Sequence, residues 1–268
     1  MRFIVAGDGS DNLSSNGIYA LYTDKASRLW IGTRRGGIDM LDERRKNFVT
    51  VSHEPGNPNS LSGNFITSVC EMADGNLLVA TEGNGLNLVK KTGEVIHYLD
   101  NPSEPSSISS NYVNSVFVDH EGKIWLATFT DGICRLDLQT RKLKRYTTIN
   151  SKTGIENKIF QCLYEDDTKT LWAAALMTGN YFGGLYRYDR AKDTFELFDD
   201  KLSDLFSLSE DNKGNLWGGD LTGLVKIDRV NRVHKRFYIG DAVRCILSYG
   251  KYLWLGIEGR GLALFDPL

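Results

Sequence analysis

The sequence predicts an all-β chain, a β-propeller of six four-stranded blades. Three observations predict it: a phrase that recurs six times, a near-constant spacing between its copies, and the lack of any segment with a sustained, capped helical period. In each copy an apolar strand leads into a turn with Asp or Gly. Leu-Trp follows, then small residues, a glycine-rich turn, and an apolar stretch that ends near Asp. The tryptophan slot falls at Trp30, Leu78, Trp125, Trp172, Trp217 and Trp254, at intervals of 48, 47, 47, 45 and 37. A period in the forties with four short strands per unit is the signature of propeller blades.

The units run approximately over 16–51, 64–99, 111–147, 157–199, 203–239 and 241–268, with a further strand at 2–6, and the whole of 1–268 is expected to form a single domain. Strand a of each unit is a run such as Ile66-Thr67-Ser68-Val69-Cys70 or Val113-Asn114-Ser115-Val116-Phe117-Val118, with the β-branched and aromatic bias of a strand. Asp74-Gly75 and Glu121-Gly122 supply the left-handed backbone of a tight hairpin turn. Strand b carries the tryptophan, and strand c follows the glycine-rich turn. Strand d is the outer one, as in Phe48-Val49-Thr50-Val51 or Leu143-Lys144-Arg145-Tyr146. Because packed sheets lie about 10 Å apart, a tryptophan needs a small neighbour. Gly32, Ala80, Ala127, Ala174, Gly219 and Gly256 are expected to be that shelf.

The two ends are complementary. The sixth unit stops after its strand c, and Arg2-Phe3-Ile4-Val5-Ala6 reads as the missing strand d. The N-terminal strand is thus expected to join the last blade, closing the ring and covering a bare sheet edge. The alternative is an open or partial piece of a seven-bladed propeller.

Composition excludes some functions. With a formal net charge of -2 there is no basic excess to attract nucleic acid. No apolar run approaches the roughly 18 residues that span a bilayer, so this segment is not expected to contact a membrane. The apolar start is too short for a signal peptide. Cys70, Cys134, Cys162 and Cys245 are far apart, lack metal-ligand spacing and sit in apolar runs, which reads as four buried thiols. His53, His97, His120 and His234 fall in linkers, outer strands or turns and are expected at the surface. No catalytic residues, metal or cofactor are expected.

The phrases Gly214-Asn215-Leu216-Trp217-Gly218-Gly219-Asp220-Leu221-Thr222-Gly223-Leu224 and Gly122-Lys123-Ile124-Trp125-Leu126-Ala127-Thr128 closely resemble the two-component regulator propeller repeat. The linkers Pro58-Asn59-Ser60-Leu61-Ser62 and Pro105-Ser106-Ser107-Ile108-Ser109 are similar to the segment that joins blades in that family. The resemblance implies the periplasmic sensor region of a hybrid two-component system. In that family tandem propellers, followed by a small β-sandwich, a membrane helix and a kinase, detect oligosaccharides. The chain departs from that pattern in having six units where seven blades are usual. No segment of it reads as sandwich, membrane helix, kinase or receiver, so an excised sensor portion is expected.

In propellers, function usually lies on one face, at the mouth of the central channel. The b–c turns and d–a linkers share a face. Their side chains escape the packing rule, which makes Arg34, Arg35, Glu82, Asn84, Phe129, Asp131, Asp220, Glu258 and Arg260 candidate ligand residues. The fourth b–c turn, Ala175 to Gly183, is longer than its equivalents and places Asn180, Tyr181 and Phe182 in a loop. Aromatic platforms with fixed polar groups suit an oligosaccharide or other small polar ligand; the alternative is that the two rings fold back as a plug. Two further functions stay open. Asp131, Asp220 and Glu258 could converge as the paired carboxylates of a polysaccharide lyase or hydrolase. The faces could also serve as a protein-binding scaffold, including a homodimer.

Overall fold

A computed structural model describes residues 3–4, 6–7, 12–42, 47–101, 103–104, 107–150, 153–179 and 182–267. Six four-stranded antiparallel sheets are arranged in a ring, and no helix occurs among these residues: the fold is a six-bladed β-propeller. Blade 1 is Ile18–Thr23, Leu29–Thr33, Ile38–Asp42 and Asn47–Val51, lettered a to d from the axis outward. Blade 2 is Ile66–Glu71, Leu77–Thr81, Leu86–Val89 and Val95–Tyr98. Blade 3 is Val113–Val118, Ile124–Thr128, Ile133–Asp137 and Lys142–Tyr146. Blade 4 is Phe160–Glu165, Leu171–Ala175, Gly184–Asp189 and Thr194–Asp199. Blade 5 is Ser207–Glu210, Leu216–Gly219, Gly223–Ile227 and Lys235–Tyr238. Blade 6 is Val243–Tyr249, Tyr252–Ile257 and Gly261–Phe265, with Phe3–Ile4 as its outermost strand. That strand pairs antiparallel, Phe3 opposite Ala263 and Ile4 opposite Leu262, so both ends of the chain meet in one blade as expected.

A carboxylate marks the start of four of the five tryptophan strands. Asp119 directly follows strand a of blade 3. Its Oδ1 accepts from the backbone N–H groups of Glu121 (3.0 Å) and Lys123 (2.9 Å), shaping the hairpin, and its Oδ2 accepts from Trp125 Nε1 at 3.0 Å. Asp24 with Trp30, Asp166 with Trp172 and Asp211 with Trp217 repeat the arrangement at 2.8, 2.8 and 2.9 Å. The exceptions support the rule. Where the tryptophan slot holds Leu78, the position six residues earlier holds Met72. Blade 6 turns too tightly, Tyr249 opposite Tyr252, to place an aspartate under Trp254.

Burial alone would raise the carboxyls of Asp24, Asp119, Asp166 and Asp211. Hydrogen bonds from the indoles and turn amides outweigh it and hold all four below the usual range. A depressed folded-state value means that the stabilisation is present above the unfolded carboxylate pKa of about 3.9. It is lost as pH falls through the lower folded value. The urea midpoint is therefore expected to fall steeply on acidification below pH about 4, and less steeply in Asp119→Asn; equal slopes would contradict the latch.

Each tryptophan packs on the following blade. Trp125 lies with Leu163, Tyr188 and Phe195 of blade 4, and Trp217 with Val243 and Leu253 of blade 6. Trp254 packs with Ile18 and Ile31 of blade 1, so the pattern continues from last blade to first. The small shelf faces the same way, but what it admits is the head of the next strand a. A Cβ on Gly32 would lie 2.8 Å from Ile66 Cγ2, and one on Gly219 would lie 2.5 Å from the Val243 carbonyl. The shelf thus fits the neighbour's inner strand. The four cysteines are buried free thiols. Three histidines are exposed, but His234 corrects the expectation: its side chain is 9% exposed and is wedged between the Asp228 amide and the Asp199 carboxylate.

Candidate functional site

The inner strands share a second pattern at their heads, apolar-x-small-apolar. The copies are Ile18-Tyr19-Ala20-Leu21, Ile66-Thr67-Ser68-Val69, Val113-Asn114-Ser115-Val116, Phe160-Gln161-Cys162-Leu163, Leu205-Phe206-Ser207-Leu208 and Val243-Arg244-Cys245-Ile246. In five blades the register with strand b slips at the second position: Ile18 faces Thr33 but Ala20 faces Gly32, and likewise around Thr67, Asn114, Gln161 and Arg244. A β-bulge leaves one residue without a ladder partner and re-aims its side chain. Here all six second-position residues line the central channel, a cavity of about 240 Å³ bounded by every inner strand.

Two of these second-position residues also tie the ring together. Thr67 Oγ1 donates to the Val113 carbonyl at 2.6 Å, and Asn114 Nδ2 donates to the Phe160 carbonyl at 2.9 Å, each one blade onward. The small third residues do the same: Ser68 Oγ accepts from Val116 N (3.1 Å) and Ser115 Oγ from Leu163 N (3.2 Å). The Cys245 thiol lies 3.9 Å from the Ile18 carbonyl across the join between blades 6 and 1. Gln161, by contrast, makes no hydrogen bond with its amide among the described residues, and that amide is left facing the channel.

A second recess opens at the channel mouth between blades 6 and 1. It has about 300 Å³ and is lined by Ser15, Gly17, Tyr19, Arg34, Arg35, Glu258 and Gly259. Tyr19 belongs to both cavities. The Arg244 guanidinium stacks 3.9 Å from the centre of the Phe206 ring and 5.4 Å from that of Tyr19, and its Nε donates to Glu258 Oε2 at 2.9 Å. Arg34 sits 5.5 Å from the centre of Phe65, which meets Tyr19 edge-on at 4.9 Å. Burial pushes the Tyr19 hydroxyl up, against the pull of Arg244, so it stays a neutral donor and acceptor.

Of the residues expected from sequence, Arg34, Arg35 and Glu258 come together with Tyr19 in this recess. Asp131 and Asp220 do not join them. Each is an ion-pair partner of an outermost strand, Asp131 with Arg145 at 2.9 Å and Asp220 with Arg236. Arg260 turns to Asp241 at 2.7 Å. Glu82, Asn84 and Phe129 are exposed on the turns of blades 2 and 3. Phe182 is 47% exposed and its carbonyl accepts from the buried Asn157 at 2.6 Å, away from the channel lining; Asn180 and Tyr181 lie outside the described residues. Among the described residues no cluster of His, Cys, Asp or Glu could hold a metal, and no helix is long and apolar enough to cross a membrane.

The sequence pattern of the two component regulator propeller matches residues 12–35 and 107–130. Both stretches cover the same part of a blade: the linker, strand a with its bulge, and strand b with its tryptophan. Two stretches of the chain thus match the two-component regulator propeller repeat. These repeats are in phase with the ring, two blades apart. No curated protein matches the chain in sequence. Among solved structures, the extracellular domain of a protein described as a hybrid two-component system of B. thetaiotaomicron superposes with a TM-score of 0.73 at 20% identity, over 96% of this chain and 34% of that one. The chain thus spans about a third of that relative's length. The fold is also similar to virginiamycin B lyase of Staphylococcus aureus (TM-score 0.63, 16% identity, 94% of this chain and 84% of that one). A gluconolactonase of Xanthomonas campestris is similar too (TM-score 0.66, 13% identity, 93% and 84%). At these identities the likeness is one of fold.

The bulge residues of the propeller repeats were missed by reading turns alone. The signal was present: one freely varying residue, Tyr, Thr, Asn, Gln, Phe or Arg, at a fixed place in six otherwise apolar runs.

Proposed function

We propose that this chain is a non-catalytic ligand-sensing propeller, part of the extracytoplasmic sensor of a hybrid two-component regulator. Its channel mouth takes an oligosaccharide or similar polar ligand. The observation that carries the reading is the bulge in five of the inner strands, at the residues that line the head of a channel shared by all six blades. Among the six residues Tyr19 offers an aromatic ring shared by both cavities and Gln161 an amide turned to the channel, an aromatic platform and a polar group of the kind that orients a polar ligand. The repeat family and the B. thetaiotaomicron extracellular domain support the sensor assignment. The ion pairing of Asp131, Asp220 and Glu258 supports a binding rather than a catalytic role, because each carboxylate is already engaged by an arginine.

The test is calorimetry against a panel of neutral and acidic oligosaccharides, with chromatography of the mixtures afterwards. At least one saccharide is expected to bind without being cleaved. Tyr19→Ala is expected to weaken that binding about tenfold, equivalent to about 1.4 kcal/mol. Cleavage of the bound saccharide would overturn the non-catalytic reading.

A further inference from the structure

We propose that the recess between blades 6 and 1 selects an anionic group, so that the ligand is a saccharide bearing carboxylate or sulfate rather than a neutral one. This rests on the reading of the channel mouth as the ligand site and adds the class of ligand. The argument is one of charge accounting. The recess and its floor hold three arginines, Arg34, Arg35 and Arg244, against one carboxylate, Glu258. The chain as a whole has a formal net charge of -2, so this local excess runs against its average.

The three cations are not equivalent. Arg244 gives its Nε and Nη2 to Glu258 and spends its faces on Phe206 and Tyr19. It is a neutralised floor. The b–c turns carry three arginines, and of these Arg260 is taken by Asp241. Arg34 and Arg35 pair with no carboxylate among the described residues. Arg34 is nevertheless held in place. Its backbone N–H donates to the Gly17 carbonyl at 2.8 Å, it bridges Phe65 in the backbone, and its guanidinium rests against the Phe65 ring. A ring face orients a guanidinium without consuming its N–H donors. The planar donor fork is then free for a carboxylate or sulfate, to which it binds in the strongest class of hydrogen bond. The sugar ring carrying that group is placed over Tyr19, which joins the recess to the channel.

The experiment uses four probes titrated by calorimetry: trigalacturonate, its methyl ester, a sulfated chondroitin disaccharide and xylotriose. Trigalacturonate or the chondroitin disaccharide, which carries a uronate carboxylate beside its sulfate, is expected to bind; binding of trigalacturonate shows that a carboxylate suffices, and binding of the disaccharide alone shows that the sulfate is required. The neutral ester and xylotriose are expected to bind at least about tenfold more weakly. The Arg34→Ala/Arg35→Ala variant is expected to lose about tenfold or more for the acidic probe and to show a flatter dependence on salt. Its native circular dichroism and thermal midpoint serve as the folding control, and Arg35→Gln alone gives a milder second variant at an exposed position. Tight binding of xylotriose or the ester, abolished by Tyr19→Ala, would overturn anion selection and leave the mouth as the ligand site. Acidic binding unchanged in the double variant would overturn the placement at Arg34 and Arg35. Binding of none of the four would overturn the anionic class, and with a silent wider panel it would remove the saccharide reading as well.

Discussion

Trp125→Ala is expected to lower folding stability by about 3–5 kcal/mol, the range for truncating a fully buried large aromatic. Trp125 is 0% exposed. Its ring lies 5.1 Å from Tyr146 in its own blade and 4.8 and 5.8 Å from Tyr188 and Phe195 in the next, so one truncation opens a cavity at a blade interface. It also removes the indole N–H from Asp119, leaving that buried carboxylate one donor short. Trp254→Ala should cost less, about 2 kcal/mol, because Trp254 is half-buried and has no aspartate beneath it. The check is urea unfolding of both variants against the parent. Equal losses would contradict the account in which the aspartate latch and the interface burial act together.

Gly256→Val is expected to be comparably severe, about 3 kcal/mol, by overpacking the join between blades 6 and 1. A Cβ at Gly256 would stand 2.3 Å from Cys245 Sγ and 2.8 Å from Ile18 Cγ2, with Ile18 belonging to the first blade. Neither neighbour can retreat, because both are buried in the same core. Adding Cys245→Ala removes the nearer of the two obstacles. The double variant is therefore expected to recover part of the loss, a coupling of about 1 kcal/mol for residues in contact. Strict additivity in thermal or urea unfolding would show that the two residues do not share this seam.

Much of the fold was legible because a repeat multiplies every weak signal by six. Trp30, Trp125, Trp172, Trp217 and Trp254 set the blade count, and Leu78 could be placed in the same slot only because its neighbours kept the phase. The joining of Phe3–Ile4 to the last blade followed from counting strands. The role of the small shelf was misread, since which strand faces Gly32 or Gly219 is a tertiary fact.

The candidate site was legible only in part. Turn chemistry pointed to Arg34, Arg35 and Glu258, which do meet. It pointed equally to Asp131 and Asp220, whose partners Arg145 and Arg236 lie two strands outward and draw them off the axis. A turn shows that a side chain is free of packing, but not which way its charge is pulled. The bulge positions escaped notice because a strand is read by its alternation. A residue that interrupts the alternation looks like noise until the register shows it opposite nothing.

The central claim is that the second residue at the head of each inner strand lines a common channel, with Gln161 turned into it. Maleimide labelling tests this directly. The four native thiols are buried, and burial pushes those of Cys70 and Cys134 up to about 11 and that of Cys162 up to about 12, so the parent protein should stay unlabelled at neutral pH. Gln161→Cys puts a thiol one residue before Cys162 on the channel wall. It should take up one label in the native state and be shielded by a bound saccharide. Rapid labelling of the parent, or a silent cysteine at position 161, would contradict the geometry from which the binding site is built.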